Sequence, residues 1–221
     1  RGGKTIGKWN VEGNVSYITQ NTQTTTSDIL TELLQAATNI PVEKFKNSGN
    51  EGAWTSYYRN PYWRANNERF QNRSDNFNAY ATLGYQVNKN IKINYLANVR
   101  TFQNSSLNYN NGYIDTIQLG GGDASTVSSF SQTNSGQTSI YADLTANFDY
   151  KLSEKISFNG LLGNNLTDTY LKATATGGTN LIIPGLYDLS NVGSPSVFTG
   201  ANNSQSRQRT ASFYADAQFG Y

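Results

Sequence analysis

The chain has 221 residues, with 17 Lys plus Arg against 15 Asp plus Glu, a net charge of +2. A balance this even excludes a nucleic-acid partner held through its phosphates and a polybasic membrane anchor. Cysteine and histidine are both absent, which excludes disulfides, thiolate or imidazole metal centres and every catalytic dyad or triad built on His.

No cofactor or metal is expected, and a hydrolase would have to rely on carboxylates alone. Asn, Ser, Thr, Gln and Gly take the place of charge, alongside 15 Tyr and 10 Phe. Apolar residues make up 36% of the chain. That is too aromatic for a disordered segment and thin in Leu, Ile and Val for a soluble core. No apolar run is long enough for a transmembrane helix, and the opening "RGGKTIGKW" carries no signal peptide.

Six segments alternate with a period of two, the pattern of strands whose two faces differ. The first, about 7–20, sets Trp9, Val11, Val15 and Tyr17 against Lys8, Asn10, Glu12, Asn14 and Ser16. A long connection, about 21–73, follows. Within it "TSDILTELLQAATNIP" predicts a short helix, capped by Ser27 or Thr26 and closed by Pro41. "GAWTSYYRNPYWRANNERF" then concentrates the aromatic residues Trp54, Tyr57, Tyr58, Tyr62 and Trp63.

The second strand, about 74–87, sets Phe77, Ala79, Ala81, Leu83, Tyr85 and Val87 against Asn76, Asn78, Tyr80, Thr82 and Gln86. "NKN" joins it to the third, about 91–102, where Ile91, Ile93, Tyr95, Ala97 and Val99 oppose Lys92, Asn94, Asn98 and Arg100. A second long connection, about 103–136, contains the Gly-rich turn "QLGGGDAS". The fourth strand, about 137–150, sets Ile140, Ala142, Leu144, Ala146, Phe148 and Tyr150 against polar residues that include Asp143 and Asp149. "KLSEK" leads to the fifth, about 156–168, which starts with Ile156 and Phe158 and blurs through "LLGNNLTD". The third long connection, about 169–207, contains "TATGGTN", also predicted to be a turn. The sixth, about 208–221, sets Ala211, Phe213, Ala215, Ala217, Phe219 and Tyr221 against Ser212, Tyr214, Asp216 and Gln218.

Short and long connections therefore alternate, so one end of the sheet is trimmed and the other elaborated. Two architectures share such strands. A soluble sandwich hides its apolar face against a second sheet, and an outer-membrane barrel turns it towards lipid. The alternating stretches are long for soluble strands, which average five or six residues, and suit tilted membrane strands of about 9–11. Their apolar faces are rich in Ala, which fills a sandwich interior poorly but is indifferent in fluid lipid. Trp9 with Tyr17, Phe77 with Tyr85, and Phe213 with Tyr221 form pairs eight residues apart. At about 3.3 Å per residue such a pair spans roughly 26 Å, close to an apolar band bounded by two aromatic girdles. With Phe148, Tyr150, Phe158 and Phe219 these residues are the predicted membrane-interface aromatics.

The expected fold is therefore all-β: an antiparallel up-and-down transmembrane β-barrel segment with short periplasmic turns, long extracellular loops and one short loop helix. The opposite face carries Lys8, Glu12, Lys92, Arg100, Asp143, Asp149 and Asp216, which need water or partners. That predicts a wide lumen holding water or a polar plug. Six strands cannot close around such a lumen, so the segment is expected to belong to a larger barrel.

Three stretches carry a family resemblance: "NPYWRANNERFQNRSDNFNAYATLGYQVNKNIKINYLANVRTF", "YADLTANFDYKLSEKISFNGLLGNNLTDTYLKA" and "NLIIPGLYDLSN". They resemble the barrel of SusC/RagA-like TonB-dependent transporters of Bacteroidota, and the likeness covers nearly the whole chain. The resemblance implies a barrel of about 22 strands in the outer membrane of a Gram-negative bacterium. It also implies a plug domain, a TonB-binding segment, a SusD-like lipoprotein lid, and import of oligosaccharides or peptides. These residues include no plug and no TonB box, so the chain reads as an early-to-middle slice of the barrel wall with its loops.

Each candidate site has a plainer alternative. Trp54, Tyr57, Tyr58, Tyr62 and Trp63 can stack on sugar rings or form the small core a long loop needs. Trp9 and Tyr85 can be ligand platforms, but their positions favour membrane anchoring. Asp115 and Asp123 have oxygen ligands suited to calcium, yet two carboxylates without further spacing fit a polar loop better. The inward charges can meet a plug, a substrate, one another or water. "NRS", "NSS", "NLT" and "NNS" match the glycosylation pattern as chance matches in an Asn- and Ser-rich chain. Two other functions stand beside the importer: a soluble cell-surface carbohydrate-binding or adhesive β-domain, and a carboxylate-only glycosidase, for which no acid pair is specified.

Overall fold

The computed structural model describes residues 1–47, 54–55, 59–115, 125–196 and 203–221. Alternation of apolar and polar residues produces one antiparallel sheet. It contains β1 (Gly2–Ile6), β2 (Trp9–Thr25), β3 (Glu68–Asn88), β4 (Ile91–Asn110), β5 (Ser129–Lys151), β6 (Ser157–Leu181), β7 (Val192–Pro195) and β8 (Asn203–Gly220). Strands β1 to β6 pair in chain order, and β6 pairs along its length with β8 and at its far end with β7.

The six long strands are the six segments read from the alternation, and two short strands, β1 and β7, join them. β1 returns on β2 through a two-residue turn in which Gly7 takes φ +59°, a conformation that favours glycine. Lys8 therefore sits in a turn and not on the polar face; its ammonium donates to the Val87 carbonyl at 3.0 Å. The β3–β4 turn is fixed by Asn88, whose Oδ1 accepts from the backbone N–H of Asn90 at 2.8 Å and of Ile91 at 3.0 Å.

At the elaborated end the strands run further than predicted. β3 starts at Glu68, β4 ends at Asn110, β5 starts at Ser129 and β6 reaches Leu181. The added residues are mostly Asn, Ser, Thr and Gln on both faces, so the ladder continues where the alternation stops. "TATGGTN" is accordingly strand within β6 rather than a turn. Gly177 and Gly178 let neighbours approach: a Cβ on Gly177 would stand 2.3 Å from the Phe130 carbonyl, and one on Gly178 2.8 Å from that of Ser194.

The predicted helix forms as α1 (Ile29–Gln35), but its cap is Asp28, which accepts from the Thr31 N–H at 3.2 Å. A second helix, α2 (Pro61–Asn67), lies in the same connection. "NPYW" encodes it: Asn60 caps by accepting from Tyr62 N–H at 3.0 Å, and Pro61 occupies the first turn. The "QLGGGDAS" turn falls largely outside the described residues.

The register assigns each face. Trp9, Tyr85, Ile93, Ala146, Leu162 and Ala215 form one cross-strand row on the apolar face. Glu12, Thr82, Leu96, Asp143, Asn165 and Ser212 form a row on the other. β6, blurred in the sequence, places Phe158, Leu162 and Leu166 on the apolar face by its pairing. Asn164 shares that face and turns its amide to the Ser212 carbonyl at 3.1 Å.

No second layer covers the apolar face among the described residues. Phe213 is 85% exposed and Val15 68%. Among the described residues the large apolar side chains that are buried are Trp54, Trp63 and Phe130, all at the elaborated end.

Candidate functional site

Two polar regions are positioned by this sheet: the polar face along its length and a folded crown at the elaborated end. On the polar face, the Tyr80 hydroxyl donates to Glu12 Oε1 at 3.2 Å, and Arg1 pairs with the same oxygen at 2.5 Å. The Tyr214 hydroxyl donates to Asp143 Oδ1 at 2.8 Å. To reach it, the ring of Tyr214 lies across Gly163, where a Cβ would come within 2.1 Å of it. One tyrosine thereby bridges β8 and β5 over β6. Asn98 donates to Asn78 Oδ1 at 3.0 Å. Near the trimmed end, Lys92, Asp149, Asp216 and Gln218 border an open groove of about 380 Å³. Arg100 borders another of about 240 Å³ with Gln137 and Ser139. Of the inward charges named from the sequence, Glu12, Lys92, Arg100, Asp143, Asp149 and Asp216 share one face by register.

The crown is built around Glu68, 5% exposed at the start of β3. Its carboxylate accepts from the Ser27 hydroxyl and from Arg64 Nε at 2.9 Å. Arg59 Nη1 lies 2.5 Å from its other oxygen, close enough for an ion pair but poorly aligned for a hydrogen bond. Arg64 also pairs with Glu32 of α1. Two guanidiniums thus tie the helical connection to the sheet, and Thr25 Oγ1 adds a bond to the Glu68 carbonyl at 2.9 Å. Asn60, 2% exposed, donates to the Phe45 carbonyl at 2.6 Å while capping α2.

The three long connections touch. Asn111, after β4, donates to Asn67 Oδ1 at 2.9 Å and accepts from the Tyr187 hydroxyl at 2.5 Å. The Tyr187 ring stacks on Tyr109 at 4.3 Å. Trp63 meets Tyr113 at 5.7 Å between ring centroids. Burial, reinforced by Tyr109, pushes the Tyr187 hydroxyl up to about 12. Burial also raises Tyr113, with Asp115 adding to the effect.

Of the aromatic residues named from the sequence, Trp54 and Trp63 are closed to solvent and supply the crown's own packing. Tyr62 borders a recess of about 340 Å³ with Phe45, Lys46 and Asn66. Tyr57 and Tyr58 lie outside the described residues. Asp115 is 8% exposed, its backbone N–H donating to Ser125 Oγ at 2.8 Å; Asp123 lies outside the described residues. Among the described residues, no three carboxylates gather at a metal-binding spacing. Sequence reading missed Glu68, Arg64, Asn67, Asn111 and Tyr187. "NPYW", an Asn–Pro helix start, is the signal that places Arg64 and Asn67 on a helix.

The predicted interface aromatics fall on the apolar face. Trp9 packs on Tyr85 at 4.4 Å and Phe158 on Phe219 at 5.1 Å. Tyr17 is opposite Phe77, and Tyr150 opposite Phe158. Phe148 and Phe213 lie on the same face by register, and Tyr221 follows β8.

No protein-family model matches the sequence, and no curated protein matches it. Solved structures do. The RagAB peptide importer in its closed-closed state matches with TM-score 0.63 and 14% identity, over 99% of this chain and 25% of that one. The RagAB peptide transporter matches with TM-score 0.66 and 15% identity, over the same shares. The open-open state of the importer matches with TM-score 0.64 and 15% identity, again over 99% and 25%. The chain thus spans a quarter of the length of the chains it matches, and at such identity the likeness is one of fold. An unclosed up-and-down sheet with an uncovered apolar face, following a quarter of a RagAB chain from end to end, has the fold of a β-barrel segment of a SusC/RagA-like transporter.

Proposed function

We propose that this chain forms part of the wall and extracellular loops of a TonB-dependent importer in the outer membrane of a Gram-negative bacterium. The observation that carries this reading is the two-faced single layer. Among the described residues nothing covers its apolar face, whereas its polar face carries charges of both signs and open grooves. Lipid outside and a water-filled lumen inside satisfy both faces, and a barrel leaves no unpaired edge in hydrocarbon.

The trimmed end then faces the periplasm and the crown faces outwards. Lys92, Asp149 and Asp216 at the trimmed end are the residues placed to meet a plug domain, through which TonB would act. The crown is the surface on which a SusD-like lipoprotein lid would close. Oligosaccharides and peptides are both candidate cargo. The matched structures are of a peptide importer, and the presence of both carboxylates and cations on the lumen face suits the mixed charge of peptides.

The test is to express the complete open reading frame and fractionate the cells. A detergent-extracted, heat-modifiable protein in the outer membrane, required for growth on a peptide or an oligosaccharide, supports the proposal. A monodisperse protein soluble without detergent overturns it in favour of a cell-surface adhesive or carbohydrate-binding domain.

A further inference from the structure

Just beyond the apolar band, the same outward face changes character. Ala79, Val99 and Ile140, which share a row, give way past Phe77 to Gln103 and Lys172 two rows further out and to Arg73 and Asn134 three rows out. These last four, with Asp75 and Tyr170, border an open groove of about 410 Å³. Gly136 forms its floor by lacking a side chain, since a Cβ there would stand 2.6 Å from Gln103 Oε1. Arg73 is held by Asp75 at 3.0 Å, and Asp75 in turn accepts from the Tyr17 hydroxyl at 2.6 Å. Beside the groove, one carboxylate, Asp168, serves two guanidiniums, Arg207 and Arg209. Lys172 has no ion pair among the described residues. In and beside the groove this face therefore carries four cations, Arg73, Lys172, Arg207 and Arg209, against two carboxylates, spread over successive rows of the register.

We propose that this groove binds the phosphate-bearing headgroup of an outer-leaflet glycolipid, whose acyl chains lie on the apolar band beneath. The inference rests on the orientation given under Proposed function. Three features select an anionic amphiphile. The excess charge is positive and includes an unpaired ammonium. Gln103, Asn134, Thr138 and Tyr170 supply neutral hydrogen-bonding groups for sugar hydroxyls. The apolar surface continues directly from the groove, so headgroup and chains are satisfied together. A free anion would gain only the first of these. Cations on neighbouring strands at this depth attract anionic headgroups in the way juxtamembrane lysines and arginines do. The groove lies across β3 to β6, in the interior of the sheet, so its lining is complete within this chain.

The full-length transporter, purified in mild detergent, is titrated with bis-phosphorylated lipid A, with the same lipid dephosphorylated, and with inorganic phosphate, and bound lipid is read by native mass spectrometry. Lys172→Gln should weaken retention of the phosphorylated lipid roughly fivefold, and Lys172→Glu more. Gly136→Leu, which fills the groove at constant charge, should weaken it as well. The dephosphorylated lipid should bind no better than it does to Lys172→Glu. Unchanged retention in Lys172→Glu overturns the proposal. So does displacement of the lipid by an equal concentration of inorganic phosphate, which would mark a site for free anions. Membrane fractionation of the wild type separates the two readings. Outer-membrane insertion with unchanged lipid retention in Lys172→Glu removes this site alone, and failure to insert removes both.

Discussion

A single carboxylate, Glu68, organises the crown, because it is the point where a helical connection and a strand share their charges. It is almost fully buried and faces Arg59, Arg64 and Ser27. Removing one partner of a buried ionic network leaves the others uncompensated, a loss of about 3–5 kcal/mol. Glu68→Ala should therefore unfasten the 26–67 connection while leaving the sheet intact. Limited proteolysis should show new cleavage in that connection and unchanged protection of the strands. Tyr187 is a second such point. Its folded-state value of about 12, against an ordinary 10.0, comes first from burial. The neutral phenol is the form that packs, so its contribution is fully present below pH 10 and is lost as pH rises through about 12. Ultraviolet titration should find a tyrosinate forming near pH 12, and Tyr187→Phe should remove one phenol from the late part of the curve, leaving the raised Tyr113 in place. A Tyr187 that titrates with the exposed tyrosines would show that the contact to Tyr109 and Asn111 does not hold.

The strands show where alternation informs and where it falls silent. Near the trimmed end the predicted and observed boundaries agree to within about two residues. There each strand has an apolar and a polar side, and each turn has its own chemistry, as at Gly7 and Asn88. Towards the crown both faces become polar, so nothing in composition separates strand from loop. Only pairing with neighbours extends β6 to Leu181. For the same reason Gly177 and Gly178 read as a turn, although their role is to admit the Phe130 and Ser194 carbonyls. The candidate site was legible as a cluster of aromatic residues, but not as a network. Asn67, Asn111 and Tyr187 come from three different connections, and their meeting depends on how the strands bring the connections together. Gly177→Ala should force the outer ends of β5 and β6 apart, because the clash is with backbone, at a cost of about 1–3 kcal/mol. Gly2→Ala, with open space around it, is the matched control. Hydrogen exchange should quicken at the outer halves of β5 and β6 in the first variant and stay unchanged in the second.

At the scale of the whole molecule the question is what touches the apolar face, and a charge moved along one strand answers it. β8 carries Arg209 at the outer edge of that face, then Ala211, Phe213, Ala215, Ala217 and Phe219. Six residues separate Arg209 from Ala215, about 20 Å along the strand. In a bilayer that distance leads from the headgroup level towards the midplane. The cost of an arginine should then rise from about 0–1 kcal/mol near the interfaces to about 2–4 kcal/mol at the centre. Ala211→Arg, Ala215→Arg and Phe219→Arg therefore form a series expected to peak at Ala215. Ser212→Arg, on the opposite face and in the row of Glu12 and Asp143, should assemble as the wild type does. The measurement is folding stability in lipid vesicles, with outer-membrane abundance as the cellular counterpart. A packed protein layer has no such depth profile: each site would respond to its own neighbours, and Phe219, with its ring against Phe158, would then be the costliest of the three. A flat series, or one that peaks at Phe219, would place protein where this architecture requires hydrocarbon.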